Sequence, residues 1–218
     1  MTIATIDFPD AKELLQNAGL QHVFLHGVTW KTYKQLAHDL EGERVYMTYA
    51  DGTLEIMTTS QQHESGKSVL AFMLELYALE MDVPILRCGS MTCQREDLEE
   101  GFEPDACYYV KNERRIRGVK KLDFKKHPAP DLAVEIEISR RVSDRKAIYA
   151  AFGVPELWLY DNKTLQVLHL KAGAYVAATA SKSFPDLPLK QFESFLAMRS
   201  EKSEHEVVKA FRDWLRKS

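Results

Sequence analysis

The sequence has few cysteines and no long apolar run. Three cysteines among 218 residues, Cys88, Cys93 and Cys107, do not show the paired spacing of a zinc site or a disulfide framework. Sparse thiols of this kind are typical of a reducing compartment. No apolar stretch approaches the ~20 residues that span a bilayer, and the first residues lack the pattern of a signal peptide. We therefore expect a cytoplasmic protein with no membrane partner.

The sequence also lacks a strong excess of charge, internal repeats and low-complexity segments. Its net charge is −3, which by itself argues weakly against nucleic-acid binding. The hydrophobic fraction of 45% suits one globular domain. We expect a main domain over residues 25–195, preceded by a helical extension over 1–24 and followed by a C-terminal helix over 196–218 that packs on the domain.

Helical and strand patterns alternate along the chain, which predicts an α/β fold with a mixed sheet flanked by helices. The Asp51-Gly52 and Ala172-Gly173 pairs predict two hairpins. Helix patterns, several of them preceded by capping residues such as Ser60, cover residues 10–18, 30–40, 62–81, 144–152, 189–198 and 203–216.

The segment PDLAVEIEIS, residues 130–139, reads as a strand with an unusual polar face. Apolar residues occupy every second position, and the positions between them include Asp131, Glu135 and Glu137. No basic residue is interleaved to relieve the repulsion between these carboxylates. Either the face lies exposed at a sheet surface, where such charges are common, or it forms one wall of a metal site.

A second strand pattern, residues 106–110, is opened by Asp105. If the two strands pair, Asp105, Glu135 and Glu137 converge and can bind Mg²⁺ or Mn²⁺, since hard divalent cations prefer carboxylate oxygens. A bound metal would activate water and stabilise charge on a phosphoryl group. The helix just downstream offers Arg145 and Lys146 as cations for the phosphate.

Positive charge is concentrated between these two strands. Residues 111–126 contain eight basic residues against two acidic ones, a local charge of +6 in a chain of −3. Such a segment either contacts a polyanion such as DNA or is a solvated loop. The candidate DNA-binding residues are Arg114, Arg115, Arg117, Lys120 and Lys121.

Several ordered motifs make the sequence similar to the Uma-two family of the PD-(D/E)xK superfamily. They are DGTLEIMTTSQQHE at 51–64, the two Pro-Asp motifs at 104–105 and 130–131, and IYAAFGVPELWLYD at 148–161. The resemblance covers roughly residues 25–195. It implies a restriction-endonuclease-like core and Mg²⁺-dependent DNA endonuclease activity, with a homodimer as the expected assembly.

The resemblance also implies roles for individual residues. Asp105 and Glu135 would be metal ligands, and Glu137 stands where superfamily members commonly have the Lys of E-x-K. The cation then comes from the next helix, where relatives have Lys and this sequence has Arg145. Arginine is not deprotonated in proteins, so it can hold phosphate but cannot act as a general base. Lys146 is the alternative cation.

Two further residues of the motifs are minor candidates. Glu64 could assist the metal, and His63 is either part of the site or a hydrogen-bonding residue at the start of a helix. Two other functions remain open. A protein that keeps the nuclease fold but binds DNA or a protein partner without turnover would explain the missing strand lysine. A sugar or nucleotide hydrolase would explain the paired carboxylates but not the basic segment.

Overall fold

A computed structural model describes residues 21–43, 45–58, 60–136 and 145–217. The predicted helix over 10–18 and Glu137 lie outside these ranges. Six α-helices are described: α1 (Trp30–Asp39), α2 (Gln61–Glu80), α3 (Glu113–Ile116), α4 (Arg145–Ala151), α5 (Leu189–Ala197) and α6 (Glu204–Leu215). A short 3₁₀-helix, Met198–Ser200, follows α5. The strands are β1 (Gln21–His26), β2 (Val45–Ala50), β3 (Thr53–Thr58), β4 (Leu86–Gly89), β5 (Cys93–Arg95), β6 (Glu100–Phe102), β7 (Ala106–Tyr109), β8 (Leu132–Ile136), β9 (Glu156–Tyr160), β10 (Leu165–Lys171) and β11 (Ala174–Ala178).

The strands form two sheets where the sequence predicted one mixed sheet. An antiparallel sheet has the order β1-β3-β2-β6-β5, and a six-stranded sheet has the order β11-β10-β9-β8-β7-β4. In the second sheet β8 and β9 are parallel, and the other described pairs are antiparallel. The α/β class is confirmed, and the mixed pairing belongs to the six-stranded sheet.

Helix α4 is the crossover between β8 and β9, because parallel strands cannot be joined by a tight turn. Gly153 follows the helix with a φ of +75°, a conformation that ends helices and favours glycine. All residues of β8 and β9 are buried, so both faces of the sheet are covered here. Residues of the β8 strand therefore cannot present charge to bulk solvent.

Three apolar cores cover the sheets. The largest lies between one face of the six-stranded sheet and helices α2, α5 and α6, with Trp158, Phe192 and Phe211 fully buried. Helix α4 packs on the opposite face through Ile148 and Tyr149. Helix α1 covers the five-stranded sheet. The C-terminal helix α6 contributes Val207, Phe211 and Leu215 to the largest core.

Capping residues set the helix starts close to their predicted positions. The side chain of Thr29 accepts a hydrogen bond from the Thr32 amide at α1, and Ser60 accepts one from the His63 amide at α2. One predicted boundary differs from the structure. Residues 21–24 belong to β1 and not to a helical extension. No described helix combines the length and hydropathy needed to cross a membrane.

Candidate active site

Strands β7 and β8 bring Asp105 and Glu135 together. The antiparallel register pairs Ala106 with Val134, so Asp105, just before β7, lies beside Glu135 near the end of β8. Each of the two residues is only 1% exposed. The interpretation of Glu135 as a charge on an exposed sheet face is therefore wrong. Burying two neighbouring carboxylates requires compensating charges or hydrogen bonds.

Asp105 is held by the backbone of β8 and by helix α2. Its Oδ2 accepts a hydrogen bond from the Ile136 amide at 2.7 Å and lies 3.1 Å from Nε2 of His63. His63 is fully buried in the first turn of α2, and its Nδ1 is 3.5 Å from Oε1 of Glu64. Burial lowers the pKa of His63, but its contacts with Asp105 and Glu64 outweigh this effect and leave the pKa raised. His63 therefore positions Asp105.

Arg145 bridges carboxylates from the two sheets. It is the first residue of α4, and its Nε and Nη2 lie 3.1 and 3.0 Å from Oε2 of Glu55. Its Nη1 is 3.5 Å from Oε1 of Glu135. The three side chains are each at most 5% exposed. One turn further along α4, the Tyr149 hydroxyl donates a hydrogen bond to Glu135.

Glu55 is a site residue that sequence reasoning missed. It lies in the middle of β3 and is 2% exposed, between the buried Leu54 and the partly buried Ile56. The sequence feature that could have revealed Glu55 is a carboxylate inside a strand of the predicted Asp51-Gly52 hairpin. Its partner Arg145 is 90 residues away in the chain, so no local pattern connects the two.

Asp131 does not join the other carboxylates. Its two oxygens accept hydrogen bonds from the amides of Val110 and Asn112, both at 2.8 Å, and from the Asn112 side chain at 2.6 Å. These bonds fix the chain where it leaves β7. Asp131 therefore stabilises the turn at the opposite end of the strands from Glu135, and its role is structural.

The basic segment also emerges at that opposite end. It connects the end of β7 to the start of β8, so it is separated from Asp105 by roughly 10 Å or more of strand. Arg117 pairs with Glu113, and a guanidinium nitrogen of Arg115 donates to the Lys126 carbonyl. All eight basic residues are exposed: Lys111, Arg114, Arg115, Arg117, Lys120, Lys121, Lys125 and Lys126.

The other candidates lie nearby but differ in exposure. Lys146 is exposed on α4, directly after the buried Arg145. Glu64 is half-buried and lines a cleft of about 650 Å³ together with Tyr46 and Glu103. Burial raises the pKa of Glu103, whose carboxylate accepts hydrogen bonds from Met47 and Thr92.

Asp105 and Glu135 suit a magnesium ion better than a transition metal. In the described part of the chain no group of three or more His, Cys, Asp or Glu is arranged to hold a metal. Mg²⁺ needs fewer protein ligands, because one or two carboxylates suffice when water and substrate phosphate complete its shell. Two adjacent carboxylates fit that requirement.

Comparisons with known proteins agree with the predicted family and fold. The model of the Uma2 family, described as "Putative restriction endonuclease", matches residues 30–198. A solved structure from Anabaena variabilis ATCC 29413, titled a "putative nuclease belonging to DUF820", is similar with a TM-score of 0.56 and 17% identity. The match covers 78% of this chain and 99% of that chain, and the fold is restriction-endonuclease-like. No curated protein matches the sequence.

Proposed function

Because this chain belongs to the Uma2 family, we propose that it is an endonuclease that hydrolyses phosphodiester bonds in DNA with a bound Mg²⁺ ion. The observation that carries the proposal is the buried pair of Asp105 and Glu135 on adjacent strands. Buried carboxylates on neighbouring strand positions repel each other, and a cation between them relieves the repulsion. Their side chains would hold the metal, with Mn²⁺ as a substitute for Mg²⁺.

The chain's own residues prepare these ligands. The Ile136 amide and His63 fix one oxygen of Asp105, and the Tyr149 hydroxyl fixes one oxygen of Glu135. Fixed ligands lower the cost of reorganisation when substrate arrives. Mg²⁺, when bound, supplies Lewis acidity and a water of lowered pKa.

Arg145 would contribute positive charge beside Glu135 without exchanging a proton. Its guanidinium remains charged, so it can stabilise negative charge on phosphate but not remove a proton from water. Glu55 holds it from the other sheet. The exposed basic segment supports DNA as the substrate class, because neutralising phosphates supplies much of the affinity of DNA-binding proteins.

A second candidate is a DNA-binding protein of nuclease fold without turnover. The observation that favours it is the contact of Arg145 with Glu135, which balances the carboxylate's charge without a metal. Glu137 stands where a strand lysine would be expected. A protein of this kind would bind DNA through its basic segment and show no dependence on divalent cations.

The test is cleavage of supercoiled plasmid and single-stranded DNA in Mg²⁺, Mn²⁺ or EDTA, with Glu135→Gln beside the wild type. We expect metal-dependent nicking, reduced at least about 10²-fold in the variant because a metal ligand is lost. Asp131→Asn is the matched control. It makes the same acid-to-amide change at the same strand but outside the site, so its folded fraction should cleave like the wild type.

Each alternative outcome has a distinct meaning. Equal nicking by Glu135→Gln would contradict the proposed site. Absence of cleavage in every metal, with DNA binding retained and no Mn²⁺ binding by calorimetry, would establish the second candidate.

A further inference from the structure

Lys67 lies in a cleft that Asp105 also lines. The lysine is one turn after His63 on α2 and is half-buried. The cleft has a volume of about 450 Å³ and runs between α2 and the strands β4 and β7. Lys67 and Asp105 therefore line the same space, in which a phosphate group would meet both side chains.

The lysine is held in place but keeps donor capacity. Its Nζ donates to the Tyr46 hydroxyl at 2.6 Å and to Oγ of Ser90 at 3.1 Å. These bonds use two of the three N–H groups of an ammonium. Burial lowers the pKa of Lys67, but the Tyr46 hydrogen bond and the charges of Glu64 and Asp105 outweigh it, so the pKa is raised.

Their ion pairs distinguish the half-buried Lys67 from the buried Arg145. Arg145 has carboxylate partners in both Glu55 and Glu135. Within the described ranges, no carboxylate lies within ion-pair distance of Lys67. A positively charged group that is fixed by neutral hydroxyls retains its charge for an incoming anion.

We propose that Lys67 binds the scissile phosphate beside Asp105 and supplies the cation that the sequence lacks at position 137. The assignment rests on the proposed nuclease function. Lys67 would donate its third N–H to a non-bridging oxygen of the phosphodiester. Charge that develops on this oxygen in the transition state is then stabilised by a donor already in position.

The hydrolysis balances without a proton from Lys67. The oxygen of water forms a bond to phosphorus, and the bond from phosphorus to one sugar oxygen breaks. One proton of the water ends on the departing sugar oxygen, and the other stays with the new phosphate monoester. Lys67 remains an ammonium throughout and serves as a fixed positive charge.

The experiment compares Lys67→Met, Lys67→Gln and Lys67→Arg with Arg87→Met. Arg87 lines the same cleft but is paired with Glu75, so its replacement removes a charge that is already compensated. Three quantities are measured: the single-turnover cleavage rate in Mn²⁺, the affinity for a fluorescent single-stranded oligonucleotide in EDTA at several salt concentrations, and the affinity for Mn²⁺ by calorimetry.

We expect Lys67→Met and Lys67→Gln to lower the cleavage rate about 10²-fold or more, as for loss of one transition-state donor. The slope of log affinity against log salt should fall by about 0.7, the value for one contact to single-stranded phosphate. Lys67→Arg should retain part of the cleavage rate and part of the salt slope, and Arg87→Met should retain the wild-type rate. Mn²⁺ affinity should change little in all four variants.

Failure of this inference is distinct from failure of the proposed function. If Glu135→Gln is inactive while Lys67→Met cleaves like the wild type, the nuclease stands and the role of Lys67 is overturned. If the wild type does not cleave, the oligonucleotide affinities of the variants test the contact between Lys67 and phosphate. Weaker binding by Lys67→Met than by Arg87→Met supports the phosphate contact, and equal binding overturns it.

Discussion

Arg145 connects the two sheets at the candidate site. Its guanidinium contacts Glu55 of β3 and Glu135 of β8 through different nitrogens. Arginine suits this position because its planar fork can engage two acceptors at once, whereas the ammonium of lysine is a point charge. Under the proposed function, the same contact with Glu135 would compete with metal binding, because a carboxylate that is paired with one cation is less available to a second one.

Replacing Arg145 by Lys tests this competition. We expect Arg145→Lys to raise the affinity for Mn²⁺ several-fold. The lysine side chain is shorter and ends in a single ammonium group, so it cannot contact Glu55 and Glu135 at the same time. The free energy of unfolding should fall by about 1–3 kcal/mol as buried charged hydrogen bonds are lost. Calorimetric titration with Mn²⁺ and urea denaturation measure the two effects.

Arg216→Lys is the control for the Arg145 substitution. Arg216 is also paired with a carboxylate, Glu80, but lies exposed just beyond α6. It should leave both the Mn²⁺ affinity and the free energy of unfolding close to the wild-type values, because an exposed ion pair contributes little. Reduced stability of Arg145→Lys with unchanged Mn²⁺ affinity would show that Arg145 does not limit the metal.

Single residues of the site differed in how far the sequence could predict them. Asp105 and Glu135 were predictable, because each occupies a definite place in a strand pattern and adjacent strands bring such places together. Glu55 was not, since its significance depends on a partner in a distant helix. Asp131 shares the alternation of Glu135, yet its position at the start of the strand directs it to the turn amides.

Among the elements, the connection from β7 to β8 carries a net positive charge, whereas the rest of the chain is net negative. Helix α3 presents Arg114 and Arg115 to solvent, at the end of the strands opposite Asp105. If the chain cuts DNA beside Asp105 as proposed, charges in this position can attract the DNA but lie too far away to contact the bond that is cut. Their expected contribution is therefore to affinity and its salt dependence.

The double substitution Arg114→Gln with Arg115→Gln separates affinity from chemistry. DNA affinity at low salt should fall, and the slope of log affinity against log salt should decrease by up to about 2 for duplex DNA. The single-turnover rate at saturating DNA should be unchanged. Lys163→Gln with Lys171→Gln removes two exposed charges from the β9–β11 region and serves as the control. A lower saturated rate in the first double variant would mean that α3 contacts the reacting strand.

Elements with a clear periodicity or cap were predictable, and short strands were not. Helices α1 and α2 begin within one residue of their expected starts because Thr29 and Ser60 cap them. Strand β6 has three residues in an acidic stretch and shows no alternation. Its pairing requires Gly101, since a Cβ there would overlap the Tyr33 hydroxyl. Only the folded structure reveals that close approach.

At the scale of the whole molecule, the site lies where the two sheets meet. Glu55 comes from the five-stranded sheet, and Asp105 and Glu135 come from the six-stranded sheet. Arg145 and His63, from helices α4 and α2, connect the set. Contacts between elements so distant in sequence form only with the complete fold, which is why the sequence predicted the strands of the site but not its full membership.

The expected homodimer would determine whether the two strands of a DNA duplex are cut in one encounter or in two. Under the proposed function, Asp105 and Glu135 of one chain form one site, which would hydrolyse one strand at a time. If two copies act together on a duplex, linear plasmid should appear without prolonged accumulation of nicked circles. Adding excess inactive Glu135→Gln chains should then form mixed pairs that nick but do not linearise, so the nicked-to-linear ratio should rise several-fold.

Doping with the same amount of additional wild-type protein controls for total concentration. Sedimentation velocity over a range of protein concentrations measures the assembly directly and should give a species of twice the 25.0 kDa chain. A 25.0 kDa species at all concentrations, with a nicked-to-linear ratio that does not respond to the inactive chains, would contradict the dimer. The two strands would then be cut in independent encounters, because one buried carboxylate pair must release the first strand before it can bind the second.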